Sequence, residues 1–382
     1  MRTIAAVTGG RWDWSLLLPV INALRAQRDL GVLLYATGGH TSEKFGKSFQ
    51  AIQEAGWQIH AEIPCPDGDS PVAVAEAMGT VTAKVSAQLS QDRPDLVLLI
   101  GDRFEIHAAG VAAVPLRIPI AHVHGGDLTF GAIDEQFRHS LTKLAALHFP
   151  TTADAAARIV QMGEEPWRIK TAGAPALDGI RTIKLLTKSE LQERYGVNLT
   201  TPVVLVAIHP VTSNQQETSA LLAATMAALK HFPNLAIVFS YPNSDPGHEQ
   251  IIQAIEHCVN ERPKTSVVKS FGAQGFWSLF GLVDALVGNS SSGIIEAASF
   301  SLPVVNIGTR QDGRIRAANV IDVAATERAV VEGIKRALCS DFRPALAGLT
   351  NPYGDGRAGE RIAEALSSVD VTRLLPKRFY AQ

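Results

Sequence analysis

The sequence predicts an α/β protein made of two doubly wound, Rossmann-like domains. Apolar runs of strand length alternate with helix-length segments, and the runs are apolar throughout, which is typical of parallel strands covered by helices on both faces. This pattern occurs twice, before and after the segment Gly173-Ala174-Pro175. The chain of 382 residues is also long for a single hydrophobic core. Two domains are therefore expected.

In the first half of the chain, apolar runs predict strands over residues 3–8, 31–37, 58–63, 95–100 and 118–123. Helices are predicted between them, over residues 15–26, 44–55, 71–89 and 106–114. Polar residues follow two of these strands directly, at Gly101-Asp102-Arg103 and at His124. Ligands of open parallel sheets bind beyond the carboxyl ends of the strands. These two strand ends are therefore candidate site positions.

The second half repeats the arrangement, with strands predicted over residues 203–208, 235–239, 282–287 and 304–306. They lead into His209-Pro210, Gly288-Asn289 and Gly308, and a last helix is predicted over residues 356–366. We expect a first domain over residues 1–173 and a second over residues 174–355. The C-terminal segment 356–382 is expected to cross back onto the first domain.

Composition narrows the class of protein. The formal net charge of −2 and the pI of about 6.6 argue against nucleic acid binding. No apolar run reaches the ~18–20 residues of a membrane span, and the start of the chain reads as a strand, not as a signal peptide. The cysteines Cys65, Cys258 and Cys339 are scattered, which suits a reducing compartment. A cytoplasmic protein without membrane or nucleic acid partners is expected.

The segment 287–296, Val-Gly-Asn-Ser-Ser-Ser-Gly-Ile-Ile-Glu, is the most informative part of the chain. It follows an apolar strand and leads into a helix, so it presents backbone N–H groups and three hydroxyls at a helix start. Such a site binds phosphate or diphosphate. The alternative is a serine-rich N-cap without a ligand. The run of three serines between two glycines favours a ligand site.

Titratable residues cluster in the middle of the chain, between Asp102 and Lys143. A lone carboxylate at the end of a buried strand, as expected for Asp102, needs a partner or a substrate. Asp134 and Arg138 are four residues apart, so they form either an i,i+4 ion pair or part of a catalytic group. His209 is likewise either a structural residue or one that faces a ligand.

Other site types lack their motifs. His122 and His124 form a His-x-His pair to which Asp127 could add a third ligand, but a structural or catalytic metal site is not favoured. The sequence contains no G-x-S-x-G, no Walker A lysine, and no G-x-G-x-x-G after the first strand. We therefore predict neither a metal nor another cofactor.

The chain resembles the UDP-N-acetylglucosamine 2-epimerase family in a match that runs in order from Arg11 to Asn351-Pro352-Tyr353, nearly its whole length, and five segments carry most of it. They are Gly101-Asp102-Arg103-Phe104-Glu105, His122-Val123-His124-Gly125-Gly126-Asp127, residues 134–143, Gly288-Asn289-Ser290-Ser291-Ser292-Gly293 and Arg310-Gln311-Asp312-Gly313-Arg314. The match is to the hydrolysing branch, which serves sialic acid and legionaminic acid synthesis. The resemblance implies a GT-B-like fold, with two Rossmann-like domains and a nucleotide sugar in the cleft between them. It also implies a homodimer or homotetramer.

The implied reaction has two stages. A base removes the proton at C2 of the sugar while the nucleoside diphosphate leaves C1, which gives a 2-acetamidoglycal. Water then adds, and the 2-epimerised free sugar is released. A departing diphosphate carries developing negative charge, which a serine-rich helix start would stabilise. A weak carbon acid at C2 needs carboxylates or a histidine within hydrogen-bond reach.

The resemblance also implies roles for individual residues. Asp102 and Asp134 would be the acid/base carboxylates, with His124 or Asp127 as a third catalytic group and His209 near the phosphate or the sugar. The substrate-binding residues implied are Arg11, Arg138, Ser290, Ser291, Ser292, Gly293, Glu296, Arg314 and Asn319. Arg138 would orient Asp134, Glu296 would bind a hydroxyl, and Arg314 and Asn319 would line the nucleotide side.

Three positions depart from the pattern of the family. Non-hydrolysing relatives carry a catalytic Glu where this chain has His124, and the acidic residue after Gly-Gly is Asp127 where Glu is usual. Thr309 stands where relatives usually carry Asp, which bears on how Arg310 and Arg314 are held and thereby on the choice of nucleotide.

The leading hypothesis is a hydrolysing UDP-N-acetylglucosamine 2-epimerase that produces N-acetylmannosamine. An alternative substrate is a 2,4-diacetamido-2,4,6-trideoxy sugar linked to UDP or GDP. Two other classes remain open: a GT-B glycosyltransferase, which needs an acceptor, and a nucleotide-sugar sensor, which binds without turnover.

Overall fold

The structure is a computed structural model that describes residues 1–42, 49–68, 70–130, 133–211, 214–242 and 247–381, without the side chains of Arg11, Trp12 and Gln215. The described chain divides into two compact units. Unit 1 comprises Met1–Leu128, Ile133–Arg181 and Tyr353–Gln382, and unit 2 comprises Thr129–Ala132 and Thr182–Pro352.

The regular elements alternate along both units. The strands are β1 (Arg2–Thr8), β2 (Leu30–Ala36), β3 (Ala61–Glu62), β4 (Leu96–Ile100), β5 (Ile120–Val123), β6 (Leu147–Phe149), β7 (Val203–Ala207), β8 (Ala236–Ser240), β9 (Thr265–Val268), β10 (Ala285–Gly288), β11 (Val304–Ile307) and β12 (Val320–Val323). The α-helices are α1 (Arg11–Ala26), α2 (Phe49–Glu54), α3 (Pro71–Asp92), α4 (Phe104–Ala113), α5 (Asp134–Leu144), α6 (Ala153–Gln161), α7 (Ala176–Thr182), α8 (Lys188–Tyr195), α9 (Gln215–Lys230), α10 (His248–Glu261), α11 (Gly272–Phe280), α12 (Ser291–Ile295), α13 (Glu327–Ala337) and α14 (Ala358–Ser368).

The sheet of unit 1 is parallel and has the strand order β3-β2-β1-β4-β5-β6. All five residues of β4 are buried, as expected of a strand with helices on both faces. The order reverses between β1 and β4, which makes this the topological switch point where open sheets bind ligands. The loops after β1, β4 and β5 therefore lie where a ligand site is expected.

The sheet of unit 2 is also parallel, with the order β12-β11-β10-β7-β8-β9. Counted within the unit, this is the same succession as in unit 1. The switch point lies between β7 and β10, so the loops that begin at His209 and at Asn289 leave the sheet next to one another.

Helix α14 packs against α1 in unit 1. Its first turn is capped by Asp178, whose carboxylate accepts hydrogen bonds from the backbone N–H groups of Ala358 at 2.9 Å and Gly359 at 2.6 Å. A Cβ at Gly359 would lie 2.8 Å from the carbonyl oxygen of Pro19 in α1. Glycine therefore allows the two helices to approach closely.

The predicted α/β class with two doubly wound units is confirmed, and most strands lie within one or two residues of the prediction. The segment 58–63 forms only the two-residue β3, and β10 starts at Ala285 because Leu282 and Val283 donate their N–H groups to the carbonyl of Leu279 in a turn. Strands β6, β9 and β12 were not predicted. Residues 44–48 of the predicted helix 44–55 lie outside the described residues. None of the described helices is both long enough and apolar enough to cross a membrane.

Candidate active site

In unit 1, an ion pair joins the end of β4 to helix α5. Asp102 follows Gly101, whose φ of +77° turns the chain out of the strand. The Nε of Arg138 donates to Asp102 Oδ2 at 2.7 Å, and Arg138 is only 3% exposed. Arg138 also donates to the carbonyl of Asp127 at 2.8 Å and to Glu135 Oε2 at 2.7 Å. The guanidinium thus orients Asp102 and ties together three segments of the site.

Asp134 lies at the start of α5, on the same helix as Arg138. Burial, together with the negative charge of Asp102, raises the pKa of Asp134 to about 6. A carboxyl group that titrates near neutral pH can both accept and return a proton in the working range of an enzyme. Asp102 beside it is held in place by the hydrogen bond from Arg138.

His124 and Asp127, the two candidates for a third group, contact one another. His124 Nδ1 lies 3.3 Å from Asp127 Oδ2, while Asp127 Oδ1 accepts a hydrogen bond from the Thr151 hydroxyl at 2.9 Å. The buried Nε2 of His124 has no hydrogen-bond partner among the described residues. His124 has a φ of +70°, a strained value for a residue other than glycine. Asp127 therefore orients the imidazole and leaves its second nitrogen for another ligand.

The His-x-His pair does not form a metal site with its neighbours. His122 is fully buried, its Nε2 lies 2.8 Å from the carbonyl oxygen of Gly101, and burial lowers its pKa to about 4. Within the ranges that the structure describes, no three His, Cys, Asp or Glu side chains are grouped as metal ligands would be.

A buried carboxylate that was not predicted from the sequence lies in the first turn of α1, which follows β1. Asp13 accepts hydrogen bonds from the backbone N–H groups of Gly9 at 2.5 Å and Gly10 at 2.7 Å. In many Rossmann-like domains this turn holds a phosphate. In unit 1 the side chain of Asp13 occupies these donors, so this turn is not available to a phosphate in the arrangement described.

A second buried carboxylate lies beside this turn. Glu105 is 1% exposed and accepts a hydrogen bond from Arg103 Nε at 2.7 Å, while its Oε2 has no partner among the described residues. Burial and then the charge of Glu105 raise the pKa of Asp13 to about 7. Neither residue stood out in the sequence, because their environment comes from contacts between β1, α4 and the turn at Gly38.

In unit 2, Asn289 joins the two strand ends at the switch point. Its Oδ1 accepts from the backbone N–H of His209 at 2.7 Å, and its Nδ2 donates to the carbonyl of His209 at 2.8 Å. Burial, followed by the nearby charge of Arg310, lowers the pKa of His209 to about 3. The imidazole of His209 is therefore neutral at physiological pH.

The serine segment begins α12. Ser290 is buried and caps the helix, with its Oγ accepting from the backbone N–H of Ser292 at 3.4 Å. Ser291 and Ser292 are half-buried in the first turn. The carbonyl of Asn289 next to them accepts hydrogen bonds from Arg310 Nη1 at 3.1 Å and Gln311 Nε2 at 2.8 Å. Hydroxyls and a guanidinium thus lie together, as a phosphate site requires.

The remaining predicted binding residues of unit 2 have identifiable partners. Glu296 accepts from Trp277 Nε1 at 2.6 Å, and burial raises its pKa. Arg314 donates to Gln311 Oε1 at 3.0 Å. Asn319 is fully buried and donates to the carbonyl of Leu302 at 2.8 Å, which fixes the turn before β11.

Packing explains why a glycine stands at position 293. A Cβ at this position would lie 2.9 Å from Val304 Cγ1 and 3.1 Å from Leu286 Cδ2. Glycine therefore lets α12 lie directly on β10 and β11. The side chain of Arg11 lies outside the described part of the chain.

Thr309, one of the departures noted in the sequence, pairs with Glu217. Glu217 Oε1 accepts from the hydroxyl of Thr309 at 2.6 Å and from its backbone N–H at 2.9 Å. An aspartate at position 309 would place a second carboxylate against Glu217. The threonine therefore holds the start of the loop that carries Arg310 and Arg314.

Comparisons with known proteins identify the family of this chain. Residues 22–367 match the model of the family described as UDP-N-acetylglucosamine 2-epimerase. A UDP-N,N'-diacetylbacillosamine 2-epimerase (hydrolyzing) of Legionella pneumophila is 35% identical over 97% of this chain and 96% of its own length. A UDP-N-acetylglucosamine 2-epimerase of Neisseria meningitidis is 31% identical over 99% of both chains.

The fold is also similar to that of solved structures. The crystal structure of UDP-GlcNAc 2-epimerase from Neisseria meningitidis bound to UDP-GlcNAc superimposes with a TM-score of 0.83, at 18% identity over 96% of this chain and 99% of that chain. The expected GT-B-like fold and the resemblance to the hydrolysing branch are thereby confirmed. The chain belongs to the UDP-N-acetylglucosamine 2-epimerase family and is a nucleotide-sugar 2-epimerase.

Proposed function

We propose that the protein is a hydrolysing 2-epimerase of UDP-linked 2,4-diacetamido-2,4,6-trideoxyglucose. The more similar of the two relatives described above is named for the UDP-linked form of this sugar, at 35% identity against 31% for the one named for UDP-N-acetylglucosamine. The observation that carries the catalytic part is Asp134, a carboxyl with a pKa of about 6 beside an Asp102 that is ion-paired with Arg138.

In the first step, Asp134 acts as the base. Its ionised form takes the proton from C2 of the sugar, the C2–H electron pair forms the C1=C2 double bond, and the C1–O bond breaks toward the diphosphate. UDP leaves with that electron pair. Raised basicity helps here, because proton transfer from a weak carbon acid is more favourable to a carboxylate of higher pKa.

In the second step, a water molecule adds to the glycal. The C1=C2 electron pair binds a solvent-derived proton at C2, on the face opposite to the one that lost its proton. The water oxygen bonds to C1, and its proton passes to a base. His124, oriented by Asp127 and with Nε2 available, suits the activation of that water. The product is the free 2-epimerised sugar, together with UDP.

The residues of unit 2 would stabilise the leaving group. The hydroxyls of Ser290 and Ser291 would donate to the diphosphate, and the guanidinium of Arg310, which contacts the carbonyl of Asn289 beside them, would add positive charge. His209, at the neighbouring strand end, would lie near the phosphate. Negative charge grows on the diphosphate as the C1–O bond breaks. Donors placed there stabilise the transition state more than the bound substrate.

A proton NMR time course in D2O tests the proposal. UDP-linked diacetamido sugar, its GDP-linked form and UDP-N-acetylglucosamine are incubated separately with the purified protein. We expect release of the 2-epimerised diacetamido sugar with deuterium at C2, and kcat/KM at least about tenfold higher for the UDP-linked diacetamido sugar than for UDP-N-acetylglucosamine. The variant Asp134→Asn should lose turnover, whereas Asp154→Asn, an exposed residue of α6, serves as the matched control.

The other outcomes are equally informative. Preferential release of N-acetylmannosamine would assign UDP-N-acetylglucosamine as the substrate. Turnover restricted to the GDP-linked sugar would change the nucleotide. Transfer to an added acceptor without free sugar would indicate a glycosyltransferase, and binding of every nucleotide sugar without turnover would indicate a sensor.

A further inference from the structure

The last residues of the chain, 374–381, pack against unit 1 beyond helix α14, and we call them the C-terminal strap. Arg168 Nη1 donates to the carbonyl of Leu374 at 3.0 Å, and the backbone N–H of Tyr380 donates to the carbonyl of Gly163 at 2.8 Å. The same Arg168 nitrogen donates to the carbonyl of Ala146 at 3.1 Å. The strap is therefore fixed at both ends, beside the segment that follows α5.

Lys377, in the middle of the strap, caps the carboxyl end of α5. Its Nζ donates to the carbonyl oxygens of Lys143 at 2.5 Å and Ala145 at 2.9 Å. The last carbonyls of a helix have no partner inside the helix and carry partial negative charge. A cation supplied from the strap thus satisfies the end of the helix, although about 230 residues separate the two in sequence.

The same ammonium group binds a buried carboxylate. Glu164 is fully buried, and its Oε2 accepts from Lys377 Nζ at 2.8 Å. Lys143 of α5 donates to Glu164 Oε1 at 2.5 Å, and His148 Nε2 lies 3.2 Å from Oε2. A buried carboxylate remains ionised only while such partners surround it. Glu164 therefore holds α5 directly through Lys143 and the strap through Lys377.

Helix α5 also carries the groups to which catalysis was assigned above. Asp134 forms its first residue, and Arg138, one turn later, binds Asp102. An eleven-residue helix moves nearly as a rigid body, so a shift at its carboxyl end changes the position of Asp134. A displacement of about 1 Å in a catalytic group can lower the rate about 100-fold.

We propose that Lys377 is a positioning residue, which acts through the carboxyl end of α5 to set Asp134 and Arg138 against Asp102. Its hydrogen bonds join the strap to the carboxyl end of α5 and to Glu164. The inference rests on the proposed role of α5 in the reaction. It assigns to the C-terminal strap a function in catalysis, beyond its contribution to the stability of unit 1.

The test uses the full-length protein and three substitutions. Lys377→Met removes the cation, Lys377→Arg keeps it, and Lys170→Met removes a surface lysine of unit 1 as the matched control. Readouts are kcat, KM, the equilibrium dissociation constant of UDP, and hydrogen exchange of α5. For Lys377→Met we expect kcat to fall at least about tenfold while the UDP dissociation constant changes less than about twofold. Amides from Arg138 to Leu144 should exchange faster.

The control and the rescue decide between positioning and plain destabilisation. Lys377→Arg is expected to recover most of kcat, because a guanidinium also donates to carbonyls and carboxylates. A chain ending at Pro376 should reproduce the effect of Lys377→Met. Wild-type kcat in a folded Lys377→Met protein overturns the proposal. So does a loss of UDP affinity parallel to the loss of kcat, or failure of both the Met variant and the shortened chain to fold.

An error in the proposed function can be told apart from an error in the role assigned to Lys377. If the wild-type protein turns over no nucleotide sugar, the proposed reaction is wrong. Hydrogen exchange then still reports whether Lys377 holds α5, and exchange that is equal in the wild-type and Met proteins overturns the structural basis of this inference by itself.

Discussion

Three aspartates of unit 1 differ in what surrounds them: Asp13 is buried, whereas Asp102 and Asp134 are partly exposed. Arg138 donates a hydrogen bond to Asp102 and holds its carboxylate in place. Burial and the negative charge of Asp102 raise the pKa of Asp134 to about 6, so this carboxyl group can exchange protons near neutral pH. Asp13 accepts two backbone N–H groups and still has a raised pKa, because it is completely buried beside Glu105. The same side chain thus lies in three different environments within one unit.

A pH profile tests the role of Asp134. As a base it must be ionised, so kcat/KM should fall about tenfold per pH unit below an apparent pKa of about 6. The profile is measured by UDP release between pH 4.5 and 9. Asp13→Asn should keep this acidic limb. Persistence of the limb in an Asp134→Asn protein with residual activity would assign it to another group.

Asp13 makes a separate prediction about stability. A carboxyl whose pKa is raised from 3.8 to about 7 on folding binds its proton more tightly in the folded state, so its contribution to stability declines as pH rises between these values. From pH 5.5 to 8, the wild-type protein should lose about 2 kcal/mol relative to Asp13→Asn, at 1.36 kcal/mol per pKa unit. Urea unfolding at both pH values measures this. An equal pH dependence of the two proteins would contradict the assignment.

The sequence located Asp102 and His124 because polar residues at the ends of apolar strands are visible without a structure. It located Asp134 through its spacing from Arg138 and the resemblance to the family. Asp13 was not visible in this way. It lies inside α1, and only the close approach of Gly9, Gly38 and Glu105 turns it into a buried, proton-binding group. Likewise, the pairing of His124 with Asp127 depends on the positive φ of His124, which a pattern of residue types does not report.

At the scale of elements, the serine segment has two roles to fulfil: it presents hydroxyl groups at a helix start, and it packs against the sheet. Its hydroxyls lie at the start of α12, next to the carbonyl that Arg310 and Gln311 bind. Gly293 fulfils the second role, because it lets α12 pack on β10 and β11. Sequence alone grouped Gly293 with the binding residues. Its surroundings indicate that glycine is needed there for the packing of α12 on the sheet.

Substituting the serines should weaken nucleotide binding. Ser290→Ala and Ser291→Ala each remove one hydroxyl donor to a charged group, for which we expect a loss of about 1.5 kcal/mol, or roughly tenfold in the UDP dissociation constant. Isothermal titration of UDP measures the effect. Ser340→Ala, an exposed serine of the same unit, is the control. Unchanged UDP affinity in both variants would support a serine-rich N-cap without a ligand.

Gly293→Ala should act mainly on stability. The added methyl group would lie 2.9 Å from Val304 Cγ1 and within reach of Leu286, both in the sheet of unit 2. Overpacking of this kind typically costs about 1–3 kcal/mol. Thermal unfolding with and without UDP measures it. A variant with wild-type stability but weaker UDP binding would return Gly293 to the ligand site.

Short strands mark the limit of the element-level prediction. Strands β6, β9 and β12 have three or four residues, and the exposed fraction of β9 and β12 side chains is higher than in the central strands. Their apolar signal is correspondingly weak. They become strands by pairing with β5, β8 and β11, an interaction between distant parts of the chain. Central strands, buried on both faces, were readable directly.

At the scale of the whole molecule, the same strand order occurs in both units, yet their strand ends carry different residues in the part of the chain that the structure describes. In unit 1 the turn after β1 is filled by Asp13, and acid/base groups follow β4 and β5. In unit 2 the serine segment follows β10. The two copies of one architecture thus differ in the loop residues at their strand ends. Under the proposed function, the first copy would supply proton transfer and the second anion binding.

The place of the serine segment in unit 2 predicts that this unit can bind nucleotide by itself. Its largest hydrophobic cluster, from Val204 to Ala337, consists of residues of unit 2 only, and the segment 182–352 is continuous in sequence. A segment of that size can form its own core. The isolated segment 182–352 should fold cooperatively, bind UDP within about tenfold of the full-length affinity, and release no sugar. Circular dichroism, calorimetric titration and the NMR assay measure these three properties. A folded segment without UDP affinity would show that nucleotide binding needs residues of unit 1, and Ser290→Ala in the segment would then have no effect to report.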